Sequence, residues 1–111
     1  MTTVSSEIKS LVSNGILTLE EIASIGETTE EVARLWLSGD ALPNDRIAKR
    51  INETKAIFAR LYEYYSKTEV RVWLFHPHPQ LEGKRAFDLL KGGDSWSIKK
   101  TIDRLDADGY L

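Results

Sequence analysis

Apolar residues recur at helical spacing along almost the whole chain. Ile8, Leu11 and Val12 stand at i, i+3 and i+4, predicting a short first helix that Asn14-Gly15 stops. The first six residues, mostly small and polar, are expected to fray. Thr18-Leu19-Glu20-Glu21 has the form of a capping box. The threonine hydroxyl accepts from the amide three residues on, and the Glu21 carboxylate accepts from the Thr18 amide. Leu19, Ile22 and Ala23 give this second helix its apolar face, and Gly26, expected at positive φ, ends it. A third helix starts at Thr28 or Thr29. Glu30 and Glu31 fall in its first turn, where carboxylates complement the helix dipole. Val32, Leu35 and Trp36 are its expected buried side, Gly39 closes it, and Pro43 resets the chain.

From Asn44 to about Ser66 there is neither proline nor glycine, which predicts one long helix. Ile47, Ile51, Thr54, Phe58, Leu61 and Tyr65 alternate spacings of four and three, a heptad seam. Ile57, Tyr62 and Tyr64 lie off that seam, so the helix needs a second neighbour, and a second protomer is a candidate. Val70, Trp73 and Leu74 then form a helical stripe that Pro77 and Pro79 terminate. Val70-Arg71-Val72 is the one stretch that could suggest a strand. Leu81, Phe87, Leu89 and Leu90 continue the core beyond a turn at Gly83, and Gly92-Gly93 breaks the chain again. Ser95 is the expected cap of a final helix carrying Trp96, Ile98 or Lys99, Ile102 and Leu105, ending at Asp108-Gly109. Each of the three tryptophans is assigned to the core. The fold class is all-α.

Composition narrows the function. The 111 residues hold 41% hydrophobic and 29% charged side chains, a globular balance that excludes intrinsic disorder. No apolar run approaches the ~20 residues of a membrane span, and the opening residues carry no secretory signal, so no membrane role is expected. The chain has no cysteine, which excludes disulfides, thiol nucleophiles and cysteine-type zinc sites, and fits a cytoplasmic location. Charge is unevenly spread. Residues 1–44 hold two cations (Lys9, Arg34) against seven carboxylates, residues 45–75 seven cations against four carboxylates, and residues 76–111 six of each. Only the middle segment has the basic excess that phosphate contacts require.

Helix, tight turn, helix, then Trp36-Leu37-Ser38-Gly39-Asp40-Ala41-Leu42-Pro43 is a helix-turn-helix order. Residues 17–43 resemble the Xre-type, phage-repressor-like helix-turn-helix, whose second helix enters the DNA major groove. The residues expected to approach DNA are Glu27, Thr28, Thr29, Glu30 and Glu31, and three carboxylates there repel phosphates. Arg34 offers a guanine-binding fork, and Arg46, Lys49 and Arg50 could hold phosphates or form a solvated helix face. A DNA-binding repressor is the alternative function that these four residues leave open.

The C-terminal third carries the sharper pattern. Trp73-Leu74, the run from Pro77 through Leu81-Glu82-Gly83 to Leu89-Leu90, the Gly92-Gly93 break, a last helix and Gly109 resemble the toxin-binding domain of Xre/MbcA/ParS-type antitoxins. Ala86 stands where that family commonly has proline. With the helix-turn-helix in front, the resemblance covers about residues 8–111. It implies an Xre-like helix-turn-helix and long connecting helix over 8–66, and a small helical toxin-binding domain over 67–111.

The resemblance further implies a type II antitoxin that neutralises a RES-domain toxin, an NAD-degrading enzyme, by seating the C-terminal domain over its nucleotide pocket. The antitoxin itself has no catalytic role and needs no cofactor. The implied blocking elements are Asp103, Asp106, Asp108, Gly109, Tyr110 and Leu111, with Arg104 at the rim and Trp73, Leu81 and Gly83 shaping the platform. Carboxylates could stand in for pyrophosphate charge, and Tyr110 and Leu111 supply an apolar anchor. The plainer alternative is a solvated acidic face on a last helix. A homodimer, or a hetero-oligomer with the toxin, is the expected assembly.

Other motifs add little. His76-Pro77-His78 offers two imidazoles where a metal needs at least one further ligand, so no metal site is expected. Asn52-Glu53-Thr54 has glycosylation spacing but sits inside a helix. There is no phosphate loop, nucleophile elbow or assembled catalytic set.

Overall fold

The computed structural model describes residues 3–108, with side chains described through Arg104. Seven α-helices follow one another: α1 (Val4–Ser13), α2 (Leu19–Ile25), α3 (Glu30–Ser38), α4 (Asp45–Leu61), α5 (Lys67–Phe75), α6 (Ala86–Lys91) and α7 (Ser95–Asp108). A 3₁₀ turn, Pro79–Leu81, joins α5 to α6. The all-α reading holds, and Val70-Arg71-Val72 lies inside α5.

Short polar side chains start most of the described helices, α6 after Arg85 being the exception. The Thr18 hydroxyl accepts from the Glu21 amide, and the Glu21 carboxylate accepts from the Thr18 amide at 2.7 Å, the expected capping box. Thr29 caps α3 and Asn44 caps α4 in the same manner. The N-terminus departs from expectation. Thr3 Oγ1 accepts from the Ser6 amide and starts α1 at Val4, so the opening residues from Thr3 are helical or capping. At the start of α7 the cap is Asp94, not Ser95. Asp94 accepts from both the amide and the hydroxyl of Ser97, while the Ser95 hydroxyl donates across to Glu53 on α4.

Gly26 corrects the reading of α2. Its φ is −82°, and the left-handed residue is Glu27, at 57°. Glycine is required at 26 for a different reason: a Cβ there would stand 2.6 Å from the Trp36 indole. The turn between α2 and α3 closes because that ring packs onto bare backbone. In α3 the buried residues are Ala33 and Trp36, whereas Leu35 is exposed and Val32 only partly buried. Gly39 takes the expected left-handed conformation.

The long helix is shorter than its lack of breakers predicts. It ends at Leu61, and Ser66 opens α5 with a second capping box closed by Glu69. The seam from Ile47 to Leu61 is buried as expected, with Tyr65 only partly so beyond the helix end. Ile57 is fully buried too. α4 packs on α1 and on α7, which covers Ile57, whereas Tyr62 is only partly buried and Tyr64 is exposed. Tyr62 and Tyr64 lie in the turn after it.

The buried residues of both halves form one continuous cluster, from Ile8 on α1 to Ile102 on α7. Two arginines bind the halves at helix ends. Arg50 on α4, its side chain 12% exposed, donates to Ile25 O at the end of α2 and to Lys91 O at the end of α6. A cation is favoured at both sites by the carbonyl ends of the helix dipoles. Gly93 leaves room for it, since a Cβ there would meet the Arg50 guanidinium at 2.7 Å. Arg71 on α5 grips both oxygens of Glu21 at 2.9 Å and donates to Ile16 O.

Candidate functional site

Of the residues expected to shape a platform, Trp73 and Leu81 are buried and Gly83 is exposed. Trp73 is 6% exposed on α5, with the His78 ring 4.6 Å away, and His78 Nε2 donates to Trp73 O at 2.7 Å. This fixes the His76-Pro77-His78 turn as a brace for α5. Leu81 is buried on the 3₁₀ turn. Glu82 and Gly83 are both left-handed, and His78 pairs with Lys84 across them. Gly83 is required by its φ of 79°, since a Cβ there would meet nothing.

On α7 the buried face is Ile98, Thr101 and Ile102. Asp103 and Arg104 are exposed, and the Asp103 carboxylate accepts from Arg60 of α4 at 2.8 Å. Asp106, Asp108, Gly109, Tyr110 and Leu111 lie outside the described residues, the first two in their side chains. Of the positions expected to block or rim a toxin pocket, Asp103 and Arg104 are exposed near the end of α7.

Trp96 is the residue that pattern reading misplaced. It is 67% exposed, not core, and its ring lies 4.8 Å from Lys100 Nζ. The helix wheel holds the missed signal. Ile98 and Ile102 fix the buried face, and Trp96, two residues before Ile98, points about 200° away from it at ~100° per residue. Trp96, Lys100 and Arg104 stand at i, i+4 and i+8 on the outer face. With Gln80, Ser97, Thr101 and Asp103 they line a shallow groove.

The four candidate DNA contacts are placed differently. Glu27 bridges Arg46 at 2.8 Å and Arg50 at 3.3 Å, and these cations hold its carboxyl below the usual carboxylate range, Arg46 foremost. Arg50 faces inward, as described. Arg34 pairs with Glu30 one turn back. Lys49 is exposed on α4 beside the cleft that Arg46, Arg50 and Glu53 also line. Among the described residues no three His, Cys, Asp or Glu gather as metal ligands, and no helix is long and apolar enough to cross a membrane.

The class that this geometry defines is an all-α protein whose described helices share one continuous core. Its sequence is similar to the proteins named Mycobacterial cidal antitoxin MbcA in Mycobacterium bovis and Mycobacterium tuberculosis. Each is 27% identical over 95 residues, covering 86% of this chain and 83% of the relative. Its fold matches a chain in the crystal structure of the M. tuberculosis MbcT-MbcA toxin-antitoxin complex with a TM-score of 0.81, at 23% identity, over 100% of this chain and 99% of that one. No protein-family model matches. The likeness in sequence and in fold extends over most of the chain rather than over one motif.

Proposed function

We propose that this chain is the antitoxin of a type II pair whose toxin is a RES-domain enzyme that degrades NAD, and that it silences the toxin by covering its nucleotide pocket. The observation that carries the reading is the likeness to MbcA, which extends across both helical modules rather than over one motif. The mechanism is steric and electrostatic. The C-terminal module presents Asp103, Asp106, Asp108, Gly109, Tyr110 and Leu111 to a pocket shaped for an anionic dinucleotide, with Arg104 at its rim and Trp73, Leu81 and Gly83 holding the platform. The chain contributes no chemistry of its own. It works in the cytoplasm as a homodimer or as a hetero-oligomer with its toxin.

Support from the geometry is specific: α7 turns a polar and aromatic face outward while its apolar face is spent on α4. The test is deletion of residues 108–111, followed by measurement of NAD consumption by the toxin encoded beside this chain. The expected result is loss of inhibition. Unchanged inhibition by a folded, truncated chain removes the tail from the mechanism.

The repressor alternative gains nothing from the geometry. Three of its four contacts, Arg34, Arg46 and Arg50, are already paired with carboxylates of the same module.

A further inference from the structure

Around Trp96, on the outer face of α7, two neighbouring cations stand without a carboxylate among the described residues, whereas most other charges on the helices of this region are paired. Arg85 and Lys91 share Asp88, Lys99 pairs with Glu53, and Asp103 pairs with Arg60. Lys100 and Arg104 have no carboxylate partner among the described residues, and they follow, one and two turns on, the most exposed aromatic side chain among those residues. Eight residues at 1.5 Å rise make the Trp96–Lys100–Arg104 stripe about 12 Å long, running toward the end of α7. A large aromatic side chain set among cations on a rigid helix has the composition of an interface anchor, since tryptophan and arginine dominate binding energy where lysine, glutamate and aspartate do not.

We propose that this stripe docks the toxin beside its nucleotide pocket, running outward from Arg104 at the pocket rim, with Trp96 seated in an apolar recess and Lys100 and Arg104 facing carboxylates that lie between the two. The inference rests on the antitoxin reading and adds a second contact, opposite in charge to the acidic tail. Charge selects the occupant. A second copy docked through the same stripe about a twofold axis would set Lys100 and Arg104 against themselves, and the unpaired cations favour an acidic partner instead. The toxin is thereby assigned a surface of mixed sign: cationic within the pocket and acidic beside it.

The experiment measures affinity between the full-length chain and the protein encoded by the adjacent reading frame. Trp96→Ala should weaken binding about 30-fold and Trp96→Phe less, the loss expected of a central anchor. The double variant Lys100→Glu/Arg104→Glu should weaken it about 10-fold and flatten its dependence on salt. All three side chains are exposed, so the unfolding temperature should stay at the wild-type value. In the wild-type complex with 5-fluorotryptophan in this chain, one of three ¹⁹F resonances should shift on binding, and it should be the one missing from Trp96→Phe. If wild type binds and the tail deletion weakens binding while the stripe variants stay within twofold, the stripe is overturned and the antitoxin reading stands. If the stripe variants lose duplex DNA retention and nothing else, the partner is nucleic acid and the proposal is overturned. If the wild-type chain does not bind the neighbouring protein, both readings fall together.

Discussion

The head of α3 and the outer face of α7 are built from the same materials and finished differently. At the head of α3 every described arginine has a carboxylate: Glu27 takes Arg46 and Arg50, and Glu30 takes Arg34. On α7 Lys100 and Arg104 have none among the described residues, and a tryptophan stands beside them. A charge neutralised within its own chain has less to offer a partner, because binding must first break or outcompete the existing pair. A helix-turn-helix-like order is therefore a weaker guide to function here than the state of its charges. The face with unspent contacts belongs to the C-terminal module.

The sharpest way to strain this contrast is to truncate its two tryptophans. Trp36, 6% exposed and stacked on Gly26, should cost about 3–5 kcal/mol when changed to alanine. Trp96→Ala should stay within about 0.5 kcal/mol by the same urea titration. Similar losses at both sites would mean that α7 packs inward. Next in size is Arg50→Ala. It leaves the end carbonyls of α2 and α6 without their shared donor and should cost about 1–3 kcal/mol in chemical denaturation. Gly26→Ala should fall in the same range, by overpacking against the indole.

A third prediction tests the α3 head itself. Wild-type chain should barely retain duplex DNA at physiological salt. Glu27→Gln should release Arg46 and raise the salt slope of any residual binding by about one phosphate. Strong, steeply salt-dependent binding by the wild type would reverse the contrast.

The smallest effect is the acid limb of stability. The Arg85 guanidinium, bonded to both oxygens of Asp88, holds that carboxyl down at about 2. Because the folded value lies below the unfolded one, the contribution is complete above pH 4 and is lost as pH falls toward 2. Both side chains are more than a third exposed, so the loss should be slight. Glu21 adds to the same limb. Burial raises its pKa, but the bonds from Arg71 and the Thr18 amide outweigh that and leave it lowered. Thermal unfolding of wild type and Asp88→Asn between pH 2 and 6 should converge at the acid end.

Local signals were readable where the physics is local. The Thr18–Glu21 capping box, the Thr29 cap and the left-handed Gly39 each depend on residues within one turn, and each forms as its spacing implies. The end of α4 was also written in the chain, as the Ser66–Glu69 capping box that opens α5, but the absence of glycine and proline masked it. Ser95 looked like a cap because serine commonly is one. Its hydroxyl went to Glu53, on another helix, and Asp94 took the role. Gly26 reads as a turn glycine because nothing within α2 reveals that Trp36 will lie on it. The inward roles of Arg50 and Arg71 are not legible because the carbonyls and carboxylate that they bind are 25 to 55 positions away. Of the candidate site, the turn at Pro79–Gly83 was legible from its residues, while Trp96 needed the rotational phase of α7 to be fixed by Ile98 and Ile102.

On the reading proposed above, the partner meets the outer face of α7 and leaves the head of α3 alone. Hydroxyl-radical footprinting of the full-length chain, free and bound to the protein encoded beside it, tests that directly. Protection should centre on Trp96 and the following turns of α7, with Leu35 and Leu42, exposed near the other module's surface, unchanged. Protection of Leu35 and Leu42 with Trp96 still reactive would contradict the account.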